Sequence, residues 1–230
     1  MIVKTGQGPL IVGHLGVSGI NGSLKSFPKP TLSYLLVKRC FDLIVSALLT
    51  AGVLSWLLPV LAIMIKLDSR GPVFFLQKRM GKGGQPFTCF KLRTMVRNSE
   101  ADEQPATWDD WRVTRLGRWL RKSHLDELPQ LINVLLGSMS LVGPRPYMLA
   151  DNQRFSDFIP DYYYRAVIRP GITGLAQVKG LHGSETDHQT ILWRHQWDAF
   201  YVRNAGMRLD LRILRSTFRF FLNQSKPLCR

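Results

Sequence analysis

Two adjacent carboxylates, Asp126 and Glu127, lie in the run Ser123-His-Leu-Asp-Glu-Leu-Pro-Gln130, between a basic stretch over 112–122 and an apolar one over 131–136. An isolated Asp-Glu pair is ordinarily solvated surface, because acidic side chains are seldom buried without partners. This pair is bounded by cations on one side and by a segment suited to burial on the other, which argues for acids held in place. Pro129 is tolerated if a helix begins near Asp126, since the first four N–H groups of a helix have no intrahelical partner. Such a start puts Asp126 where free N–H groups and the helix dipole favour an anion, a phosphate among them. Arg145, in Pro144-Arg-Pro146, is a candidate to meet that anion, because a guanidinium matches phosphate oxygens in pairs. Lys91 and Arg93 read equally as site cations and as structural ion-pair partners.

The chain has 230 residues, 45% of them hydrophobic, with 31 Lys+Arg against 16 Asp+Glu and a formal net charge of +15. So basic a surface meets something anionic: nucleic acid, anionic lipid or a phosphorylated substrate. Nothing resembles a helix-turn-helix, a zinc finger or an aromatic RNA-binding strand, so nucleic acid is not the expected partner. Cys40, Cys89 and Cys229 are far apart and form no C-x-x-C, which argues against a disulfide framework or thiolate metal site and fits a reducing, cytosol-facing location. His182, His188 and His195 lack metal-ligand spacing and read as a polar loop.

Residues 40–65 carry one charge, Asp42. As a helix this stretch would be about 39 Å long, enough to cross a bilayer. It is too long and too far into the chain for a cleaved signal peptide. Lys25, Lys29, Lys38 and Arg39 precede it; Lys66, Arg70, Lys78, Arg79 and Lys82 follow it. Cytoplasmic flanks collect Lys and Arg, so a crossing helix would strand one basic flank on the wrong side. A helix that dips in and returns keeps both on one side. Pro59 supplies the break, and Ser55 is placed to satisfy a carbonyl that the break frees. The expectation is a re-entrant anchor over 32–67, its first residues amphipathic, after a mobile leader over 1–31.

Beyond the anchor, 73–77 and 87–93 read as strands joined through a Gly-rich turn, a hairpin. Residues 100–110 form an acidic loop, 112–122 are helical in pattern, and 143–146 and 169–174 are Pro/Gly loops. Arg208, Arg212, Arg215 and Arg219 recur on one helical face, with Leu209, Ile213 and Phe220 mostly elsewhere. Such a helix can lie in the headgroup layer of an anionic membrane. A tail over 223–230 follows a domain spanning 68–222.

The chain resembles the bacterial sugar transferases, the monotopic polyprenyl-phosphate hexose-1-phosphate (phosphoglycosyl) transferases. The matching blocks run in order: Lys38-Arg-Cys-Phe-Asp42; Gly71-Pro-Val-Phe-Phe75; Lys91-Leu-Arg-Thr-Met95; Arg112-Val-Thr-Arg-Leu-Gly117; Leu125-Asp-Glu-Leu-Pro-Gln130; Asn133; Leu141-Val-Gly-Pro-Arg-Pro146; Arg169-Pro-Gly-Ile-Thr-Gly-Leu-Ala-Gln177; and Asp198-Ala-Phe-Tyr-Val202. Singly they are weak; in order behind a membrane segment they are specific. Two departures stand out: Leu58-Pro59 where relatives often have Ser-Pro, and Asp110-Trp-Arg112 where Asp-Pro-Arg is common.

The resemblance implies the short, exopolysaccharide-initiating form, without the N-terminal transmembrane bundle of longer relatives. It implies transfer of a sugar-1-phosphate from a UDP-sugar to undecaprenyl phosphate, with UMP leaving. Asp126 would be the nucleophile, forming a covalent phosphosugar, and would help to hold Mg²⁺. Glu127 would assist, and Arg121 matches the family's phosphate-binding arginine. Arg169, Thr173 and Gln177 would meet the nucleotide or its phosphates. A homodimer is compatible with the resemblance. The expected fold is α/β (α+β): one helix-rich cytosolic domain with a re-entrant membrane helix and surface amphipathic helices. Two other readings stand beside this one. One is a membrane-tethered scaffold; the other is a UDP-releasing glycosyltransferase, against which the absence of an Asp-x-Asp motif weighs.

Overall fold

The computed structural model describes residues 30–96, 110–181 and 187–224. Most of the expected leader, nearly all of the acidic segment over 100–110, His182 and most of the tail lie outside the described residues.

The apolar stretch forms one element of 37 residues, Leu32–Asp68, long and apolar enough to cross a membrane by length and composition. It consists of α1 (Leu32–Leu49), a π turn (Thr50–Leu54) and α2 (Ser55–Asp68), with Pro59 inside α2. A π turn widens the backbone and misaligns its carbonyls. Here side chains satisfy two of them: Ser55 Oγ donates to the Ala51 carbonyl at 2.6 Å, and Trp56 Nε1 to the Gly52 carbonyl at 2.9 Å. Ser55 therefore serves the π turn, not the carbonyl that Pro59 leaves without a donor, which is Ser55's own.

The burial pattern of α1 inverts that of an ordinary surface helix. Its buried side chains are Tyr34, Lys38, Asp42 and Ser46, a polar stripe at i, i+4, i+8 and i+12, while Leu36, Val37, Ile44 and Leu48 are exposed. Each of the first three stripe residues has a partner in the body of the protein. Tyr34 Oη and Lys38 Nζ donate to Asp210 Oδ2 at 2.9 and 2.7 Å. Ser140 Oγ and the Leu141 N–H donate to Asp42 at 2.7 and 3.1 Å. The far end of the element is held by apolar contact instead: Leu61 and Ile65 pack with Leu92, Leu120 and Leu125. Both ends of the long helix thus rest on the same folded body.

Strands β1 (Phe74–Met80) and β2 (Pro86–Leu92) form the expected antiparallel hairpin, with Phe75 opposite Lys91 and Arg79 opposite Phe87. The expected helix over 112–122 starts three residues later as α3 (Arg115–Lys122), because Thr114 caps it by accepting the Gly117 N–H at 2.9 Å. Gly117 has to be glycine: a Cβ there would lie 1.9 Å from the Thr94 carbonyl oxygen. After His124, in the left-handed region at φ 55°, comes a 3-10 turn, Leu125–Glu127, and then α4 (Gln130–Leu136). Asn133 ties α4 to β2, accepting from the Phe90 N–H at 2.9 Å and donating to the Thr88 carbonyl at 2.7 Å.

Strand β3 (Ser140–Val142) pairs in parallel with β4 (Gly171–Thr173), so the segment over 169–174 contains a strand where a loop is expected. Three residues are too few for alternation to show. Then come α5 (Leu149–Ser156), a 3-10 stretch (Tyr162–Val167), α6 (Leu175–Val178), α7 (His188–Arg203) and α8 (Met207–Gln224). Among the described residues two small separate sheets, one of them a hairpin, make this a helix-rich α+β fold and not an alternating α/β one. The main core lies under α7 and α8, around Leu141, Val142, Tyr164, Tyr201 and Ile213.

Candidate active site

Three elements bring charge to one place: β2 presents Lys91, the 3-10 turn presents Asp126 and Glu127, and the Pro-Arg-Pro loop presents Arg145. Lys91 Nζ donates to Glu127 Oε1 at 2.7 Å. Arg145 Nη2 donates to the same oxygen at 2.9 Å, with Nη1 3.4 Å from Oε2. Burial alone would raise the Glu127 carboxyl, but Arg145 and Lys91 outweigh it and hold the group well below the usual glutamate range. Glu127 is ionised, and both of its oxygens are engaged.

Asp126 stands in the opposite condition. Its side chain is buried, and among the described residues it accepts no hydrogen bond and makes no ion pair. Burial pushes its carboxyl up to about 6; the Glu127 charge adds to this, while Lys91, Arg121 and Arg145 oppose it. Two neighbouring carboxyls whose environments drive their pKa values apart are a recurrent sign of divided chemical roles. One acid is a fixed electrostatic strut, the other a carboxylate with its lone pairs unclaimed.

Arg121 flanks Asp126. Its Nε donates to Thr94 Oγ1 at 2.8 Å, and burial lowers its guanidinium against the pull of the Asp126 charge. His124, immediately before the turn, meets Phe221 of α8 edge-on with ring centroids 5.6 Å apart, and burial lowers its imidazole. Arg112, in the divergent Asp-Trp-Arg turn, is buried and grips Asp110 through Nε and Nη2.

The structure brings Lys91, Arg121, Asp126, Glu127 and Arg145 together and places the other candidates elsewhere. Arg93 donates through Nη2 to the Ile65 and Ser69 carbonyls at 3.2 and 2.6 Å, closing the end of α2. Arg169 Nε donates to the Gly137 carbonyl at 2.7 Å, at the end of α4, where Arg39 also holds the Val134 and Leu135 carbonyls. Thr173 Oγ1 lies 2.7 Å from Thr217 Oγ1, and Gln177 Nε2 donates to the Ile172 carbonyl at 3.3 Å. Those contacts serve helix ends and the α8 interface.

One site neighbour escapes a reading by motif. Arg79 Nη1 donates to the Pro146 carbonyl at 2.9 Å, and its guanidinium is lowered by burial, with Cys89, Arg145 and Glu127 close enough to act on it. Strand period could have found it: Gln77 and Arg79 on β1 and Cys89 and Lys91 on β2 share one face of the hairpin.

A divalent ion finds a partial fit. Among the described residues no three acidic, His or Cys side chains cluster. Glu127 is already claimed by two cations, which leaves Asp126 as the one available carboxylate. Mg²⁺ is commonly held by one or two carboxylates together with substrate phosphates, so the fit is to an ion that arrives with a diphosphate.

The divided dyad makes opposite stability predictions. The folded chain holds the Asp126 proton to higher pH than an unfolded aspartate near 4 does, so the stability it contributes is lost as pH rises from about 4 toward about 6. Asp126→Asn should therefore stabilise the protein at pH 7, by about 1–3 kcal/mol. Glu127 is depressed, so its contribution is present above the ordinary glutamate range and fails as pH falls below it. Glu127→Gln leaves Lys91 and Arg145 facing each other and should cost about 3 kcal/mol. Thermal melts in detergent at pH 7 check both; equal signs for the two variants would contradict the division.

The family model described as bacterial sugar transferase matches residues 33–224. A UDP-glucose:undecaprenyl-phosphate glucose-1-phosphate transferase of Caulobacter vibrioides is 46% identical over 191 residues, 83% of this chain and 71% of that protein. A UDP-N-acetylgalactosamine-undecaprenyl-phosphate N-acetylgalactosaminephosphotransferase of Aeromonas hydrophila is 41% identical over 222 residues, 96% of this chain and 51% of that protein. The exopolysaccharide production protein PSS of Rhizobium leguminosarum bv. phaseoli is 42% identical over 189 residues, 80% of this chain and 94% of that protein. The chain thus spans about half the length of some curated relatives and nearly all of another. With the family match running from the start of the apolar helix to the end of α8, the chain belongs to the bacterial sugar transferase family.

Proposed function

We propose that the chain transfers a sugar-1-phosphate from a UDP-sugar to undecaprenyl phosphate, in two steps through a covalent intermediate on Asp126. The observation that carries this reading is the division of the dyad: Glu127 is locked by two cations, and Asp126 is left buried, unbonded and adjacent to Arg121. In the first step an Asp126 oxygen attacks the sugar-proximal phosphorus. The phosphorus–oxygen bond to the nucleotide breaks, UMP leaves, and the phosphosugar stays on Asp126. In the second step an oxygen of the polyprenyl phosphate attacks that phosphorus, and the Asp126 carboxylate is released. Phosphoryl transfer asks the protein mostly for positioning and charge neutralisation. Arg121 and Arg145 supply cations, and Arg145, 30% exposed, keeps donors for an incoming phosphate. When bound, Mg²⁺ would neutralise diphosphate charge, with Asp126 as its protein carboxylate.

A lipid-linked acceptor suits the surroundings. A cavity of about 720 Å³ with apolar walls lies between the π turn and Pro59 on one side and Ile132 and Leu135 of α4 on the other. Leu58, Val73 and Phe74 line it and also pack in the cluster that holds Leu125, next to Asp126. The named relatives act on different sugars at similar identity, so identity does not choose the donor sugar. A role in initiating exopolysaccharide assembly follows from the same reading.

The long helix is proposed to be a re-entrant anchor on the cytoplasmic face of the bacterial plasma membrane. Three features support this: its outward side is apolar, its inward stripe is polar, and both of its ends bear on one body. Helix α8 adds an exposed apolar line, Leu211, Phe218 and Leu222, beside the exposed Arg208, Arg212, Arg215 and Arg219. That surface suits the headgroup layer of an anionic membrane.

Two measurements test these readings. Purified protein in nanodiscs, given Mg²⁺, undecaprenyl phosphate and a panel of UDP-sugars, should release UMP and no UDP with at least one donor. Asp126→Asn should release neither; UDP release would move the chain to the glycosyltransferase reading. For the anchor, single cysteines at positions 30 and 70, in a background lacking Cys40, Cys89 and Cys229, should both resist labelling from outside the cell. Labelling at position 30 alone would mean a crossing helix.

A further inference from the structure

The Pro-Arg-Pro loop is held by its carbonyls. Pro144 and Pro146 have no N–H to donate, so ordinary backbone pairing cannot fix this segment from its donor side. Four successive carbonyls are met instead. The Gly171 N–H donates to the Pro144 carbonyl at 3.0 Å and the Met80 N–H to the Tyr147 carbonyl at 3.2 Å. Between them, Arg165 Nη2 donates to the Arg145 carbonyl at 2.6 Å and Arg79 Nη1 to the Pro146 carbonyl at 2.9 Å.

Arg165 is itself immobilised. Its side chain is 6% exposed and pairs with Asp198, 3% exposed, at 2.7 Å from Nη2 and 3.1 Å from Nε. Its Nη1 donates to Tyr162 Oη at 3.2 Å, and its guanidinium lies 4.2 Å from the Tyr147 ring centroid. Burying a charge this deeply is costly unless every donor is placed, and one of the donors placed is the one on the backbone of Arg145. That residue's side chain is one of the two cations on Glu127.

We infer that Arg165, held by Asp198, and Arg79 on the other side of the loop are positioning residues: they fix the Arg145 backbone so that its guanidinium meets Glu127 and faces an incoming phosphate. Neither arginine touches the reacting atoms. This rests on the transferase reading above. A lysine at either position keeps the charge but lacks the planar fork by which Arg165 bonds the Asp198 carboxylate and a carbonyl together, and Arg79 the Gln77 side-chain oxygen and a carbonyl.

The test is a double-mutant cycle on UMP release, using Arg165→Lys, Arg145→Ala and the double variant in nanodiscs. Arg145→Ala should lower kcat by about 100-fold, the scale of losing one oriented donor. Arg165→Lys should lower kcat by about tenfold in the otherwise native protein and by less than twofold where Arg145 is already gone. A tenfold loss in both backgrounds, or none in the native one, overturns the inference, because a general packing role would act independently of the Arg145 side chain. If Arg165→Lys does not fold, Arg79→Lys runs through the same cycle from the other face of the loop. Should the native protein release no UMP, the function reading fails separately. The cycle is then read in melting temperature, where non-additivity with Arg145→Ala sustains the positioning and additivity overturns it.

Discussion

A single carboxylate shared by two cations organises the site. Glu127 stands between Lys91 of the hairpin and Arg145 of the Pro-Arg-Pro loop, so three segments far apart in sequence meet at one ionised side chain. Removing Glu127 would leave Lys91 and Arg145 facing each other without a counter-charge, a far larger loss than a surface ion pair brings. Glu127 takes the side-chain bonds of both cations, while its neighbour Asp126 accepts no hydrogen bond among the described residues and is pushed by burial up to about 6, the Glu127 charge adding to this. Farther out, Asn133 fixes α4 to β2, and Arg39 and Arg169 hold its far end. The turn that carries the dyad therefore leads into a helix secured at several points.

The long apolar helix is joined to this body by polar bonds at one end and by apolar packing at the other. Asp210 collects Tyr34, Lys38 and Tyr201, the last at 2.7 Å. Asp42 accepts from Ser140 and Leu141 in β3. The outward apolar side has no protein partner among the described residues and would be costly in water, since contiguous exposed apolar surface of this extent marks an interaction site. A polar inward face and an apolar outward one suit a lipid surrounding on the outside. Helix α8 links the two regions: Asp210 near its start holds α1, and Phe221 near its end meets His124 beside the dyad.

Much of this was legible in the residues. The hairpin followed from two short strand-like runs on either side of a Gly-rich turn. The α8 arginines followed from their spacing, and the dyad from its setting between cations and an apolar run. What escaped has common physical causes. A buried arginine looks in sequence like a surface cation, so Arg165 gave no local sign of its burial, and Arg93 and Arg169 gave none of their task at helix ends. β4 is too short to show a period and exists because β3 lies beside it, a contact between residues about thirty apart. The π turn has no sequence signature of its own; Pro59 marked a break, but the widened turn lies upstream of it.

Asp126, and not Glu127, is proposed to be the carboxylate left free to bond phosphorus. Intact-protein mass spectrometry after incubation with donor UDP-sugar and Mg²⁺, without polyprenyl phosphate, tests it directly. The account predicts a mass increase of one sugar phosphate, located at Asp126 by fragmentation and discharged when undecaprenyl phosphate is added. An adduct on Glu127 would contradict it, and so would UMP release that occurs only when the acceptor is present and leaves the enzyme unmodified.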